Sequence, residues 1–282
     1  MASEAKGAVF ELCKKATHAK RCPCNNHILN NSLAKSSKVA ICRNASSSMK
    51  KVVAFANASA KRHKVFEEEM GGVALKGLCE TRWVERHDDH LQFQGLNLVY
   101  ICNALERISC WEDSKTAGEA QCLKQALQSS EFLVTSICLC DVLDVTVSLS
   151  RFLQKASLDL SKATDAVKDV MSVLEEKRKE ADSVFGKLFS EAKKIGELLE
   201  VEIKKPRIVS KQIHRDNNQP AQSTEEYFRR AIYIPLLDSV LTDFKDRLSQ
   251  DVLSLFELGV FLPKKNCYRK GLGSRETSNN IL

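Results

Sequence analysis

The sequence reads as a mostly α-helical bundle, and three observations carry that reading. Glycine and proline, the residues that most often end helices, number 11 and 5 in 282 residues. Aromatic residues make up 6% of the chain, a composition that leans away from a β-sandwich or barrel. Apolar residues also return every three or four positions over long stretches, as one face of a helix requires. At 43% hydrophobic content the chain can bury one substantial core or two modest ones.

Residues 8–15 and 27–35 read as short helices on either side of a turn at Cys22–His27. Pro23 favours extended backbone there, so at most one or two short strands are expected near the N-terminus, one of them ending at Cys22. From Lys38 to Met70, the residues Val39, Ile41, Met49, Val52, Val53, Phe55, Val65 and Phe66 have loosely helical spacing. The pattern predicts one bent helix or two, broken near Ser46-Ser47-Ser48 and ending at Gly71-Gly72. A further helix is expected from Thr81, whose side chain can cap it, through Leu91, Leu98, Ile101 and Leu105 to Ile108.

Residues 116–128 and 130–155 give two more helices, and the second is apolar on nearly every face, which places it centrally. Its stretch from Phe132 to Leu153 carries Asp141 and Asp144 near the middle. Two carboxylates are costly in the centre of a bilayer, so this is read as a core helix, and no membrane partner is expected.

A seven-residue repeat follows over 160–199, with Leu160, Val167, Leu174, Ala181, Leu188 and Ile195 at one position. Thr164, Met171, Arg178, Phe185, Ala192 and Leu199 stand at its partner position. Such a register can form a coiled-coil seam, but Arg178, Ala181 and Ala192 weaken it, which favours one long helix packed back onto the bundle. A monomer or weak dimer is therefore expected. Lys204 to Ser223 then breaks the pattern with Pro206, Asn217-Asn218 and Pro220, and helices resume at Thr224 with an interruption at Pro235. Beyond Pro263 apolar periodicity is lost, and a disordered tail is expected.

Charge is unevenly placed. Residues 1–66 hold 13 Lys or Arg against Glu4 and Glu11, a local +11, whereas residues 91–203 hold 13 basic against 18 acidic residues, a local −5. Residues 204–282 return to +5, with 14 basic and 9 acidic. Basic ends around an acidic middle suit a polyanion such as DNA, and would serve equally as a solubilising surface. Lys50, Lys51, Lys61 and Arg62 are the candidate phosphate contacts.

The N-terminus has no apolar run of signal-peptide length, so the 11 cysteines are expected to be reduced, in a nuclear or cytoplasmic rather than secreted protein. Most should serve as small core residues. Cys22, Cys24 and His27 raise a zinc question, but no fourth ligand stands at finger spacing unless His18 or His63 folds back. A structural turn at Cys24 and His27 is expected, with no metal and no cofactor. His87 and His90, beside Asp88 and Asp89, read as a solvated polar helix face. No phosphate-binding glycine loop and no nucleophile elbow is present.

Three stretches in order resemble the middle of hAT (hobo/Activator) transposases and the proteins derived from them. Cys24-Asn25-Asn26-His27-Ile28-Leu29-Asn30 is similar to the Cys-x-x-His-x-x-Asn element at the entrance to the family's inserted helical domain. Thr81-Arg82-Trp83-Val84-Glu85-Arg86-His87 resembles that domain's Thr-Arg-Trp signature, the most specific of the three. Pro206 to Arg247, with His214, Arg215, Tyr227, Arg229, Arg230 and Pro235, is similar to a later part of the same group.

The resemblance implies an inserted helical domain of a ribonuclease H-like transposase and a chain without a catalytic centre. In the family, three carboxylates bind paired divalent metals. Two of them lie before the Cys-x-x-His element and one beyond the insertion, and no carboxylate of this chain matches them. The implied division is a core-edge remnant over 1–35, the helical insertion over 36–203, a basic linker over 204–223, further helices of the same domain over 224–262, and the tail over 263–282. The family pattern would put Trp83 against a flipped base with Arg82 beside it, while Trp83 in the core and Arg82 paired with Glu85 or Glu80 fits the sequence as well. The functional expectation is a catalytically incomplete module that binds nucleic acid or a protein partner. Its alternative is a helical scaffold built on 160–199.

Overall fold

The computed structural model describes residues 8–16, 39–77, 89–153, 160–206 and 221–247. The protein is mostly helical, and no strand occurs among the described residues. In chain order the helices are α1 (Ala8–Lys15), α2 (Ala40–Asn57), α3 (Ala60–Glu69), α4 (Leu96–Ser109) and α5 (Ser114–Leu127). There follow α6 (Ser130–Leu153), α7 (Leu160–Lys179), α8 (Ala181–Leu198), α9 (Thr224–Phe228), a π-helical turn (Arg229–Tyr233) and α10 (Ile234–Arg247).

Helix α6 is the axle of the bundle, packed on by α2, α5, α7, α8 and the π turn. By length and composition Ser130–Phe152 could cross a membrane, but here 78% of its most apolar stretch is buried inside the protein. Phe132, Leu133, Ile137, Cys138, Val142, Leu143 and Leu149 are all buried. Two of its buried hydroxyls are satisfied by its own backbone: Ser136 donates to the Leu133 carbonyl at 3.0 Å and Thr146 to those of Val142 and Leu143, both at 3.1 Å. Asp141 is half-buried and takes Lys177 of α7 at 2.7 Å on one oxygen. On the other it takes the Tyr233 hydroxyl of the π turn at 2.9 Å. That carboxylate, foreign to a bilayer, ties three elements together.

Several boundaries differ from the sequence reading. Helix α2 runs unbroken through Ser46-Ser47-Ser48, because Cys42, Ala45, Met49, Val52 and Val53 line one buried stripe across them; the interruption falls at Ala58 and Ser59 instead. The helix expected from Thr81 through Leu91 to Ile108 is interrupted: residues 89–91 are helical, the chain turns over 92–95, where Gly95 has φ of 56°, and a new helix starts at Leu96. The 160–199 repeat is two helices separated at Glu180, and its residues face this chain's own core. Thr164, Val167, Leu174, Ala181, Phe185, Ala192, Ile195 and Leu199 are buried, and Arg178 pairs with Asp238 of α10 at 2.6 Å.

Two local devices shape the end of the bundle. The π turn widens the helix just before Pro235, where the missing amide would in any case break α-helical pairing. At the end of α8, Val201 donates to the Gly196 carbonyl at 2.8 Å and Glu200 to that of Glu197 at 3.2 Å, a Schellman stop. A Cβ at Gly196 would lie 2.7 Å from the Val201 carbonyl oxygen, so only glycine fits. Glu200 holds the left-handed position at φ of 56°, where glycine is the low-cost residue. Glu200→Gly is expected to stabilise the fold by about 1 kcal/mol, read as a rise in urea midpoint. A lower midpoint would show that the Glu200 side chain contributes more than its backbone costs.

Candidate nucleic-acid interface

Helix α2 separates its chemistry by face. Cys42, Ala45, Met49, Val52, Val53 and Ala56 point into the core at the three- and four-residue spacing of a buried stripe. Arg43 and Lys50, two turns apart, share another face, and Lys50 and Lys51 are exposed. From Ala40 to Phe66 the chain carries Arg43, Lys50, Lys51, Lys61, Arg62 and Lys64 and no carboxylate at all.

Helix α3 places its charges against its own dipole. Lys61, Arg62 and Lys64 stand at the N-terminal end, where the helix is already positive, and Glu67, Glu68 and Glu69 at the other. This order does not serve helix stability. The acidic end is answered from α4, where Arg107 reaches Glu69 at 2.7 Å and Glu68 at 3.1 Å. At the basic end Lys61 Nζ sits 4.1 Å from the centroid of the Trp111 ring, and Arg62 Cζ 4.3 Å from that of Phe55. His63 Nδ1 lies 3.0 Å from Asn57 Oδ1, which gives that imidazole a partner within the α2–α3 corner.

The four candidate cations therefore fall on two adjoining helices but not in one role. Lys50 and Lys51 are exposed on α2, whereas Lys61 and Arg62 cover aromatic rings, which the sequence reading did not foresee. Arg82, Trp83, Cys24 and His27 lie outside the described residues, as do Cys22 and His87. The solvated face expected around His90 is not found: Asp89 and His90 are buried, 4% and 6% exposed. Cys42, Cys102, Cys138 and Cys140 are buried core thiols, while Cys110 and Cys122 are exposed. Among the described residues no group of three His, Cys, Asp or Glu could hold a metal ion. Trp111 escaped the sequence reading because its partner lies 50 positions back, and no local pattern links them.

Comparison with known proteins places the chain near one relative. It is 24% identical over 198 residues to the 52 kDa repressor of the inhibitor of the protein kinase of Homo sapiens. To the protein of the same name from Mus musculus it is 25% identical over 195 residues. The matches take in 68% and 67% of this chain but 26% and 25% of those proteins, so the chain spans about a quarter of the length of the curated relatives it matches. No family model and no solved structure matches it.

Proposed function

We propose that this chain is a hAT transposase-derived helical module that binds nucleic acid through the outer faces of α2 and α3 and cuts no DNA by itself. The observation that carries the reading is the carboxylate-free run from Ala40 to Phe66, folded into two packed helices with cations kept at the unfavourable end of α3. Charge placed against stability points to a use for that charge. Distant similarity to the 52 kDa repressor supports the transposase ancestry. The non-catalytic half rests on the resemblance, in which no carboxylate of this chain stands at the family's three metal-binding positions. A scaffold built on 160–199 is disfavoured because the seam is spent on the chain's own core.

Binding to a fluorescent duplex, followed by anisotropy, tests the reading. Affinity is expected on the order of micromolar at low ionic strength and should fall steeply as salt rises, because bound phosphates release counterions. Replacing Lys50, Lys51 and Lys64 by Gln should weaken every sequence alike and flatten the salt slope by up to about three ions. Lys61 and Arg62 are kept intact in this variant, since both also cover aromatic rings. Absence of salt-sensitive binding would remove the nucleic-acid reading. Nicking that needs magnesium or manganese, survives purification and vanishes on chelation would overturn the non-catalytic half.

A further inference from the structure

We propose that the Trp111 indole is a stacking platform for an unpaired base, so that the basic corner of α2 and α3 takes single-stranded nucleic acid in preference to duplex. The inference deepens the nucleic-acid reading and rests on it. Trp111 follows the end of α4, with part of its ring packed on the core and the remainder accessible. Lys61 lies over that ring at 4.1 Å. The lysine is exposed, and an ammonium over a partly exposed indole is held less strongly than a base stacked on it. A base can therefore displace the ammonium from the ring.

Displacement keeps the Lys61 charge beside the ring, where it can pair with a phosphate of the same strand. Arg62 and Lys64 belong to the same turn of α3, and His63 and Asn57 supply polar groups beside them. A duplex keeps its bases stacked inside and offers the ring none, which makes the site selective for single strands. Glu112, exposed and next to Trp111, is the one opposing charge adjoining the ring in sequence, and should weaken the site.

Trp83 and Trp111 are the two tryptophans of the chain, so the full-length Trp83→Phe variant reports Trp111 alone. Titrating it with oligothymidylate of roughly 15 nucleotides, within the span of single-strand sites, should quench Trp111 emission in step with anisotropy. The duplex of the same length should bind without quenching. Trp111→Ala should lower single-strand affinity at least about fivefold and leave duplex affinity unchanged, while Glu112→Gln should raise it. If single strands bind and Trp111 emission does not change, or duplex quenches equally, the stacking site is wrong while the nucleic-acid reading stands. If neither nucleic acid binds, both fall. The quenching arm needs no change at Trp111, so it decides the matter even if Trp111→Ala fails to fold.

Discussion

Phe185→Ala is expected to destabilise the protein by about 3–5 kcal/mol, the usual cost of removing a fully buried aromatic side chain and leaving its cavity. Phe185 is 0% exposed. Its ring centroid lies 5.9 Å from that of Phe189 and 5.7 Å from that of Tyr233, and Phe189 lies 6.4 Å from Phe228. This aromatic row joins α8 to the helices that follow Ser223, so the loss should be cooperative: the urea midpoint falls and the dependence on denaturant does not change. The same variant separates two roles for the heptad residues. Were the seam a contact between chains, Phe185→Ala would dissociate a dimer and leave the monomer's stability nearly intact; sedimentation of the wild-type chain as monomer together with the full stability loss is the expected result.

How far the fold was legible follows from the range of the signal each element carries. Helix α6 was readable because its message is local, 24 residues of near-continuous apolar character with Glu131 at the start and Asp141 and Asp144 near the middle. The heptad positions were readable too, but their destination was not fully so, since a heptad pattern states which face is apolar and leaves open what covers it. Arg178 shows the limit: at a seam position it looks like a defect, and its partner Asp238 stands 60 residues away. Serine's modest helix propensity argued for a break at Ser46-Ser47-Ser48, and burial of the flanking stripe overrode it. The candidate interface was legible as charge, residue by residue. The pairing of Lys61 with Trp111 and of Arg107 with two glutamates was invisible, because contacts between helices leave no periodic trace in one sequence.

Alkaline pH should unfold the protein through its thiols. Burial pushes the Cys42 and Cys102 thiols up to about 12, the second despite the nearby Lys124 cation. Cys138 and Cys140 are raised by burial as well, and so is Tyr233, where the Asp141 carboxylate adds to the effect of burial. Below the ordinary thiol value of 9.0 neither folded nor unfolded chain is ionised at these cysteines, so their contribution to stability is fully present. Between 9.0 and about 12 the unfolded chain ionises and the folded one does not, so stability drains away as pH rises. Cys42 and Cys102 alone account for about 2–3 kcal/mol per pH unit over that window. Urea midpoints under reducing conditions should hold steady up to pH 9.0 and then fall, more gently in Cys102→Ala, which releases one proton fewer. A midpoint that does not move through the window would mean these thiols meet solvent in the native state.

The place of α6 also dictates when the molecule can fold as it leaves the ribosome. Its covering helices come from both sides of it in sequence, α2 and α5 ahead, α7, α8 and the π turn behind, the last ending at Tyr233. Until that residue has emerged, an apolar segment with the length of a membrane span stands with one flank bare, for the time needed to add some 80 further residues from Leu153 to Tyr233. At translation rates of about 5–20 residues per second, that is an interval of several seconds. During it the nascent chain presents the kind of surface that chaperones hold and insertion machinery tests, so the helix that organises the native core is also the segment most exposed to misdirection before the core exists.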